Sequence, residues 1–167
     1  ALSNEQKMII DTTRSFVEQE LYPYEAEVEK NNHIDSNLIE KIKQKSIEIG
    51  LYAANMPEQY GGGGLDSLTL CLLEKELGKA NFGLQYIVAR PSNILMACKD
   101  EQVEKYLLPT IRGEKVDCLA MTEPNAGSDV RSMQCRAERD GEYFVINGSK
   151  HFISHADIAD YVILFAA

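Results

Sequence analysis

The stretch 119–129 concentrates residue types that can hold a phosphorylated or carbonyl-bearing ligand. Thr122 ends an apolar run, a proline turn follows, and Gly127 and Ser128 lie in a loop of small residues. A glycine lets the backbone approach a ligand closely, and backbone N–H groups beside a serine hydroxyl suit a phosphate or a carbonyl oxygen. The Thr122 hydroxyl can reach the polar edge of a ring. The alternative is a strand followed by a proline turn and a solvated loop.

Helical periodicity governs the first two-thirds of the sequence. Ser3 begins a capping-box pattern, and Asp66 is placed to cap a later helix that is apolar on several sides. Pro23 interrupts the first apolar stretch, because a proline removes an N–H group and clashes inside a helix. For the same reason the last helix of this part is predicted to end before Pro109.

Near residue 114 the periodicity changes from helical to alternating. Apolar and polar residues alternate after Met133, as in a half-buried strand. The pairs Asp140-Gly141 and Asn147-Gly148 predict hairpin turns. We therefore predict an α+β chain, with an all-α domain over residues 1–113 and the start of a β-domain over residues 114–167.

The Gly61–Gly64 run separates two predicted helices. Four consecutive glycines favour a flexible turn or a linker. No Gly-Lys-Ser or Gly-Lys-Thr follows, so the run does not predict a nucleotide phosphate-binding loop.

Composition excludes several classes of partner. The chain has 167 residues and a net charge of −9. Nucleic acids and anionic membrane surfaces attract clustered lysine and arginine, so neither is expected to bind. No apolar run reaches the ~18–20 residues of a membrane span. The sequence predicts an ordinary globular protein without a membrane-spanning segment.

No metal or disulfide site is predicted. The four cysteines, Cys71, Cys98, Cys118 and Cys135, form no C-x-x-C pair and are expected to be buried free thiols in a reducing compartment. His151 and His155 lie in a segment predicted as a strand, where residues four apart stand roughly 13 Å from each other. They are therefore not expected to share a metal ion.

Four segments resemble the acyl-CoA dehydrogenase family in content and order. The stretch 119–129 resembles the family signature, with Pro-Glu-Gln-Tyr-Gly-Gly at 57–62, related segments over 100–114, and Ile-Asn-Gly-Ser-Lys-His-Phe-Ile-Ser at 146–154. The resemblance covers essentially the whole chain. It implies a helical bundle followed by the first strands of an antiparallel β-barrel domain, with the family fold incomplete over these residues.

The resemblance implies a flavoenzyme. Members bind FAD and desaturate acyl-CoA thioesters, and they pass electrons to an electron-transfer flavoprotein. The family's catalytic glutamate belongs to a later helical domain, so no catalytic residue is expected in this chain, which should be an inactive fragment. The resemblance also implies a homodimer or homotetramer in the bacterial cytoplasm or the mitochondrial matrix.

The resemblance assigns a set of contacts to the flavin. Thr122 is expected at the polar edge near N5, and Ser128 near the pyrophosphate and the substrate entrance. Phe152 and Ser154 stand where the family usually has tryptophan and threonine, against the face and edge of the ring. The alternative for Phe152 is an ordinary core aromatic. The full set of expected cofactor contacts is Leu119, Met121, Thr122, Gly127, Ser128, Phe152, Ile153 and Ser154.

Departures from the family pattern leave the substrate open. His155 replaces the usual asparagine, and Arg131 replaces a small residue; Arg131 is either an anion contact or a solvated charge. Tyr86 and Arg90 are either acyl-pocket residues or helix-surface residues. The alternatives are an oxidase-like or monooxygenase-like relative on the same fold, and a truncated binding module without catalysis.

Overall fold

The structure is a computed structural model that describes residues 1–89 and 91–167. Arg90, a candidate for the acyl pocket, lies outside the described residues. The chain divides into two compact units, Ala1–Glu114 and Lys115–Ala167. The first is helical and the second contains the strands, which confirms the predicted α+β class. Each unit is described by itself.

The first unit is built from helices that begin at the expected caps. Ser3 accepts from the Gln6 N–H while the Gln6 side chain accepts from the Ser3 N–H, and Asp66 accepts from Leu68 and Thr69. The helices are α1 (Asn4–Phe16), α2 (Tyr22–Asn31), α3 (Ser36–Glu48), α4 (Ser67–Leu77), α5 (Phe82–Val88) and α6 (Leu108–Ile111), with π-helical segments Val17–Leu21 and Val103–Leu107 and 3-10 turns Glu58–Tyr60 and Asn93–Ala97.

The core of the helical unit is formed by the apolar faces of these helices. Leu21, Ile42, Leu77 and Leu84 are fully buried in one cluster. Helix α4 carries Leu73 and Leu77 inward but leaves Leu68 exposed. Although its sequence is apolar on several sides, only one face of α4 is therefore buried.

Both prolines that follow a π-helical segment are accommodated within continuing helix. Pro23 lies near the start of α2 and Pro109 near the start of α6. A proline ring clashes with the carbonyl four residues earlier, which belongs here to Gln19 and Lys105. Each is the middle residue of its π-helical segment, where the turn is wider. The prediction that the helix ends before Pro109 is wrong, because this wider turn removes the clash.

The glycine run is a compact turn and not a flexible linker. The Gly63 N–H donates to Ala53 at 3.0 Å, and the Gly64 N–H donates to Met56 at 2.8 Å. A methyl group at Gly62 would lie 2.2 Å from the Met56 carbonyl oxygen. The glycines are needed because two backbone segments are in contact. The amino-acid sequence of the run does not show this contact.

The second unit contains β1 (Asp117–Ala120), β2 (Arg136–Asp140), β3 (Tyr143–Asn147) and β4 (Tyr161–Leu164). Strands β2 and β3 form an antiparallel hairpin in which Asp140 pairs with Tyr143, so the predicted Asp140-Gly141 turn is confirmed.

Strands β1 and β4 pair in parallel, a difference from the antiparallel neighbours expected. The predicted hairpin at Asn147-Gly148 does not form, since residues 148–160 have no strand. A methyl group at Gly148 would lie 2.7 Å from the Cys135 Cα, so this glycine serves a close approach of two backbone segments.

Among the described residues, Cys118 and Cys135 are buried free thiols, whereas Cys71 is exposed and Cys98 is partly exposed, so the predicted burial of the thiols is wrong for these two. None of the helices there is long and apolar enough to cross a membrane. No group of three or more histidine, cysteine, aspartate or glutamate side chains is placed to hold a metal ion within residues 1–89 and 91–167.

Candidate functional site

The segment that follows β1 forms a tight turn. The Glu123 N–H donates to the Ala126 carbonyl at 2.8 Å, and the Ala126 N–H donates back to Glu123 at 3.2 Å. Pro124 and Asn125 occupy the two central positions of this turn, where proline supplies a preset φ. The turn is therefore followed by an exposed loop that begins at Gly127.

The Glu123 side chain connects three segments of the second unit. Its carboxylate accepts from the Gln134 N–H at 2.7 Å and the Cys135 N–H at 3.0 Å. The Lys150 ammonium donates to the same carboxylate at 2.8 Å. These donors, Lys150 foremost, hold the pKa of Glu123 below its ordinary value. Glu123 is thus an ionised structural anchor.

The structure brings the segment around residues 150–155 against the end of β1. The Lys150 ammonium donates to the Met121 carbonyl at 3.0 Å, and the His151 N–H donates to the Thr122 carbonyl at 2.9 Å. The predicted strand does not form here, because Phe152 and His155 adopt positive φ angles of 55° and 63°. Such angles are incompatible with a strand.

Phe152 is displayed on the surface of its unit. Its side chain is 81% exposed, so the alternative of a core aromatic is wrong for this unit. Its ring stacks on His151, with centroids 3.7 Å apart and planes 19° apart. A bulky residue at positive φ is an outlier of the kind found at functional sites. The exposed Phe152 ring thus directly follows His151, the residue whose backbone is bonded to Thr122.

Three hydroxyl groups of these segments are available to a ligand. The side-chain hydroxyls of Thr122, Ser128 and Ser154 have no hydrogen-bond partner within the part of the chain that the structure describes. Thr122 is half-buried, and a half-buried polar group needs a partner or water, whereas Ser128 and Ser154 are exposed. A methyl group at Gly127 would meet no atom within 4 Å, so the fold of this unit does not itself require a glycine there.

The remaining predicted residues occupy different surroundings. Leu119 pairs with Ile163 in the parallel ladder and is half-buried, as is Ile153. The Arg131 N–H is bonded to Asp129, and its guanidinium has no partner among residues 1–89 and 91–167. Ser128 likewise makes no hydrogen bond to the 150–155 segment, so the structure joins Met121 and Thr122 to that segment but not the small-residue loop.

Lys150 was absent from the predicted contacts. Lys150 and Glu123 are 27 positions apart in the sequence, so no short spacing pattern connects them. The only signal in the sequence is that Glu123 and Lys150 each carry a charge among neighbouring residues that are uncharged. Together the segments present an exposed aromatic side chain and hydroxyls without partners among the described residues, which suit a planar ring with polar edges.

Comparison with known families matches both units. The N-terminal domain of acyl-CoA dehydrogenases matches residues 3–114, and the middle domain of acyl-CoA dehydrogenases matches residues 118–167. The two matches together include nearly every residue of the chain.

Individual relatives agree over the full chain. It is 35% identical to the 3-(aryl)acrylate reductase of Clostridium sporogenes over 98% of its residues, which is 44% of that protein. It is 36% identical to the mitochondrial isovaleryl-CoA dehydrogenase of Pongo abelii over 99% of its residues, which is 40% of that protein. The chain thus spans less than half the length of these curated relatives.

Solved structures lead to the same assignment. The acyl-CoA dehydrogenase of Bacillus anthracis, solved in complex with FAD, superposes with a TM-score of 0.82 at 31% identity. That match covers 99% of this chain and 29% of the other. With both family domains matched in order, the chain belongs to the acyl-CoA dehydrogenase family.

Proposed function

We propose that the complete protein containing this chain is an FAD-dependent acyl-CoA dehydrogenase that desaturates an acyl-CoA thioester between its α and β carbons. The observation that carries the proposal is the junction of Thr122 with the exposed Phe152 through the His151 N–H bond to the Thr122 carbonyl, 2.9 Å long. This bond joins the segment of an exposed aromatic residue to a residue whose hydroxyl has no partner among the described residues, which supports a site for the face and polar edge of a flavin ring.

The residues of this chain would position the cofactor. Phe152 would stack against the ring face, while Thr122 and Ser154 would donate to its polar edge. Leu119, Met121 and Ile153 would line it, and Gly127 with Ser128 would lie near the pyrophosphate and the substrate entrance. When bound, FAD supplies a hydride acceptor, and the protein supplies orientation and exclusion of water.

The partners are proposed on the same basis. The catalytic base belongs to a part of the family fold outside these residues. The substrate class is an acyl-CoA, supported by the isovaleryl-CoA dehydrogenase among the relatives, and the electron acceptor is an electron-transfer flavoprotein. We further propose a homodimer or homotetramer in the bacterial cytoplasm or mitochondrial matrix.

A second candidate is the reverse reaction. The relative from Clostridium sporogenes is named as a reductase of 3-arylacrylates, and reduction of a C=C bond is the reverse of desaturation. Turnover of the complete protein should be followed in both directions, with a saturated acyl-CoA plus an oxidised dye and with an unsaturated acyl-CoA plus a reduced dye.

The cofactor assignment has a direct test. The complete protein should purify with an oxidised flavin spectrum, and mass spectrometry of the released cofactor should give FAD. The pyrophosphate expected near Ser128 is present in FAD and absent from FMN, so recovery of FMN or of no flavin would contradict the proposal.

Replacement of Thr122 with valine should change the flavin without changing the fold. Valine keeps the shape of threonine and removes one hydrogen bond, worth about 0.5–1.5 kcal/mol. Over two electrons, 1 kcal/mol corresponds to roughly 20 mV, so the reduction potential should shift by tens of millivolts and substrate reduction should slow. Spectroelectrochemistry of the complete protein measures the shift.

Thr12→Val is the matched control for this replacement. Thr12 is half-buried in α1 of the helical unit and has no assigned role at the flavin. Its substitution should leave the potential unchanged. If Thr122→Val behaves like Thr12→Val, the assignment of Thr122 to the flavin edge is wrong.

A further inference from the structure

A buried ion pair joins the two segments that carry the candidate flavin contacts. The Lys150 ammonium and the Glu123 carboxylate are 2.8 Å apart, and their side chains are 8% and 4% exposed. Burial of two charges is expensive, and an apolar pair of similar volume is often at least as stabilising. The pair therefore calls for an explanation other than stability.

The directions of the hydrogen bonds provide that explanation. Lys150 donates both to the Met121 carbonyl at 3.0 Å and to Glu123. The next residue, His151, donates its N–H to the Thr122 carbonyl. Lys150 and His151, which are consecutive, thus donate hydrogen bonds to the carbonyls of the consecutive residues Met121 and Thr122. Apolar side chains cannot impose this register, because their contacts have no direction.

The Glu123 carboxylate also binds a third segment. Its second oxygen accepts from the Gln134 N–H at 2.7 Å, and the Cys135 N–H bonds to the oxygen that Lys150 also contacts. The carboxylate therefore anchors the start of β2 to the end of β1. Loss of its charge would leave two N–H groups and one ammonium with a weaker acceptor.

We infer that Lys150 and Glu123 form a positioning pair that sets the register between Thr122 and Phe152. The inference rests on the proposed flavin function of those two residues. Neither member of the pair is a catalytic residue, since each acts through the backbone carbonyls and N–H groups that it holds. Loss of the pair should misplace the two flavin contacts relative to each other.

The test uses the complete protein with Lys150→Met, Glu123→Gln and the double variant. Lys150→Met keeps the apolar stem and removes the charge and the donors. A displacement of about 1 Å at a reacting centre can slow a reaction on the order of 100-fold. We expect each single variant to bind FAD more weakly, to show a changed flavin circular-dichroism spectrum, and to be reduced by substrate at least about tenfold more slowly.

The double variant separates a pair from two independent contributions. Residues that act as one unit show non-additive effects, so the double variant should be no slower than the worse single variant. Lys150→Arg keeps the charge and should recover part of the flavin spectrum. Multiplicative losses in the double variant would overturn the inference.

Lys79→Met is the matched control. Lys79 donates to the buried carboxylate of Glu76 in the helical unit, so this variant also removes a lysine from a buried acid. It should lower thermal stability and leave FAD affinity and reduction rate within about twofold, as expected for a residue that shares no partner with Lys150 or Glu123. Equal flavin effects in Lys79→Met and Lys150→Met would show that the losses are only those of general stability.

Two different failures can be told apart. If the wild-type protein binds no FAD, the proposed function fails. If the wild type binds FAD and Lys150→Met keeps its affinity, spectrum and reduction rate, only the positioning pair is refuted.

Discussion

Replacement of Gly62 with alanine is expected to destabilise the helical unit by at least about 3 kcal/mol, the upper range for overpacking. The added methyl group would lie 2.2 Å from the Met56 carbonyl oxygen and 2.5 Å from its carbonyl carbon. These are backbone atoms, which cannot rotate away as a flexible side chain can. The turn must open, and the Gly64 N–H bond to Met56, 2.8 Å long, would be lost with it. Urea unfolding of the protein measures the change.

Substitutions at two further glycines separate the effect of steric contact from the effect of backbone conformation. Gly50 has a φ of +74° but open space around it, so Gly50→Ala should cost only the strain of a left-handed residue, about 1–2 kcal/mol. Gly127 has open space and no positive φ, and Gly127→Ala should change stability by less than about 0.5 kcal/mol. A smaller loss for Gly62→Ala than for Gly50→Ala would contradict the close packing of the turn.

Glu76→Gln should lower the thermal unfolding midpoint by several degrees at neutral pH. Glu76 is 4% exposed on α4, and Arg14 of α1 donates to both of its oxygens, at 3.1 Å and 3.4 Å. Lys79 bonds to the same carboxylate. The amide keeps the size of the acid but removes its charge, so Lys79 loses an anionic partner and Arg14 keeps only Asp11. The charged bond between α1 and α4 is thereby lost.

The difference between wild type and Glu76→Gln should disappear in acid. The hydrogen bond from Lys79, and then that from Arg14, lower the pKa of Glu76 below its ordinary 4.5. A lowered carboxyl pKa in the folded state stabilises the protein above the unfolded pKa, and this contribution is lost as the pH falls through the folded pKa. The midpoints should therefore differ fully above pH 4.5 and converge as the pH falls below it.

Glu74→Gln is the control for this titration. Glu74 lies on the same helix, and partial burial raises its pKa. Its charge is disfavoured in the folded state, so neutralisation should not destabilise the protein at neutral pH. A loss of stability in Glu74→Gln equal to that in Glu76→Gln would show that any acid on α4 serves equally well.

Local features of the fold were predictable because they depend on neighbouring residues. The Ser3 capping box, the Asp66 cap and the Gly141 turn each involve groups within three positions of each other. Such short-range hydrogen bonds leave a pattern of residue types at fixed spacing. The change from helices to strands was visible for the same reason, as a change in apolar periodicity.

Features that depend on distant contacts were not predictable. The Gly61–Gly64 run was interpreted as flexible because the approach of Ala53, Ala54 and Met56 to it is set by the path of the backbone. The hairpin predicted at Asn147-Gly148 failed because Gly148 instead lies against Cys135. In both places the glycine is required by close packing of the backbone. The residue type alone does not distinguish this requirement from backbone flexibility.

The candidate site was predictable as a set of segments but not as an arrangement. Resemblance identified Thr122 and Phe152, and the structure joins their segments through one backbone hydrogen bond. The Lys150 contacts went unpredicted because their partners lie 27 and 29 positions away. Whether these segments contact a flavin stays a prediction, for which Thr122→Val and the cofactor analysis are the tests.

The two π-helical segments have a consequence for how the helices tolerate changes in length. Elsewhere in a helix, deletion of one residue rotates everything after it by about 100° and turns its buried face toward solvent. Within Val17–Leu21 or Val103–Leu107, the same deletion shortens a wide turn to an ordinary one and leaves the following helix close to its original phase. The clash with Pro23 or Pro109 would then return. Each segment can therefore lose a residue only together with its proline, so the wide turn and the proline form one structural unit.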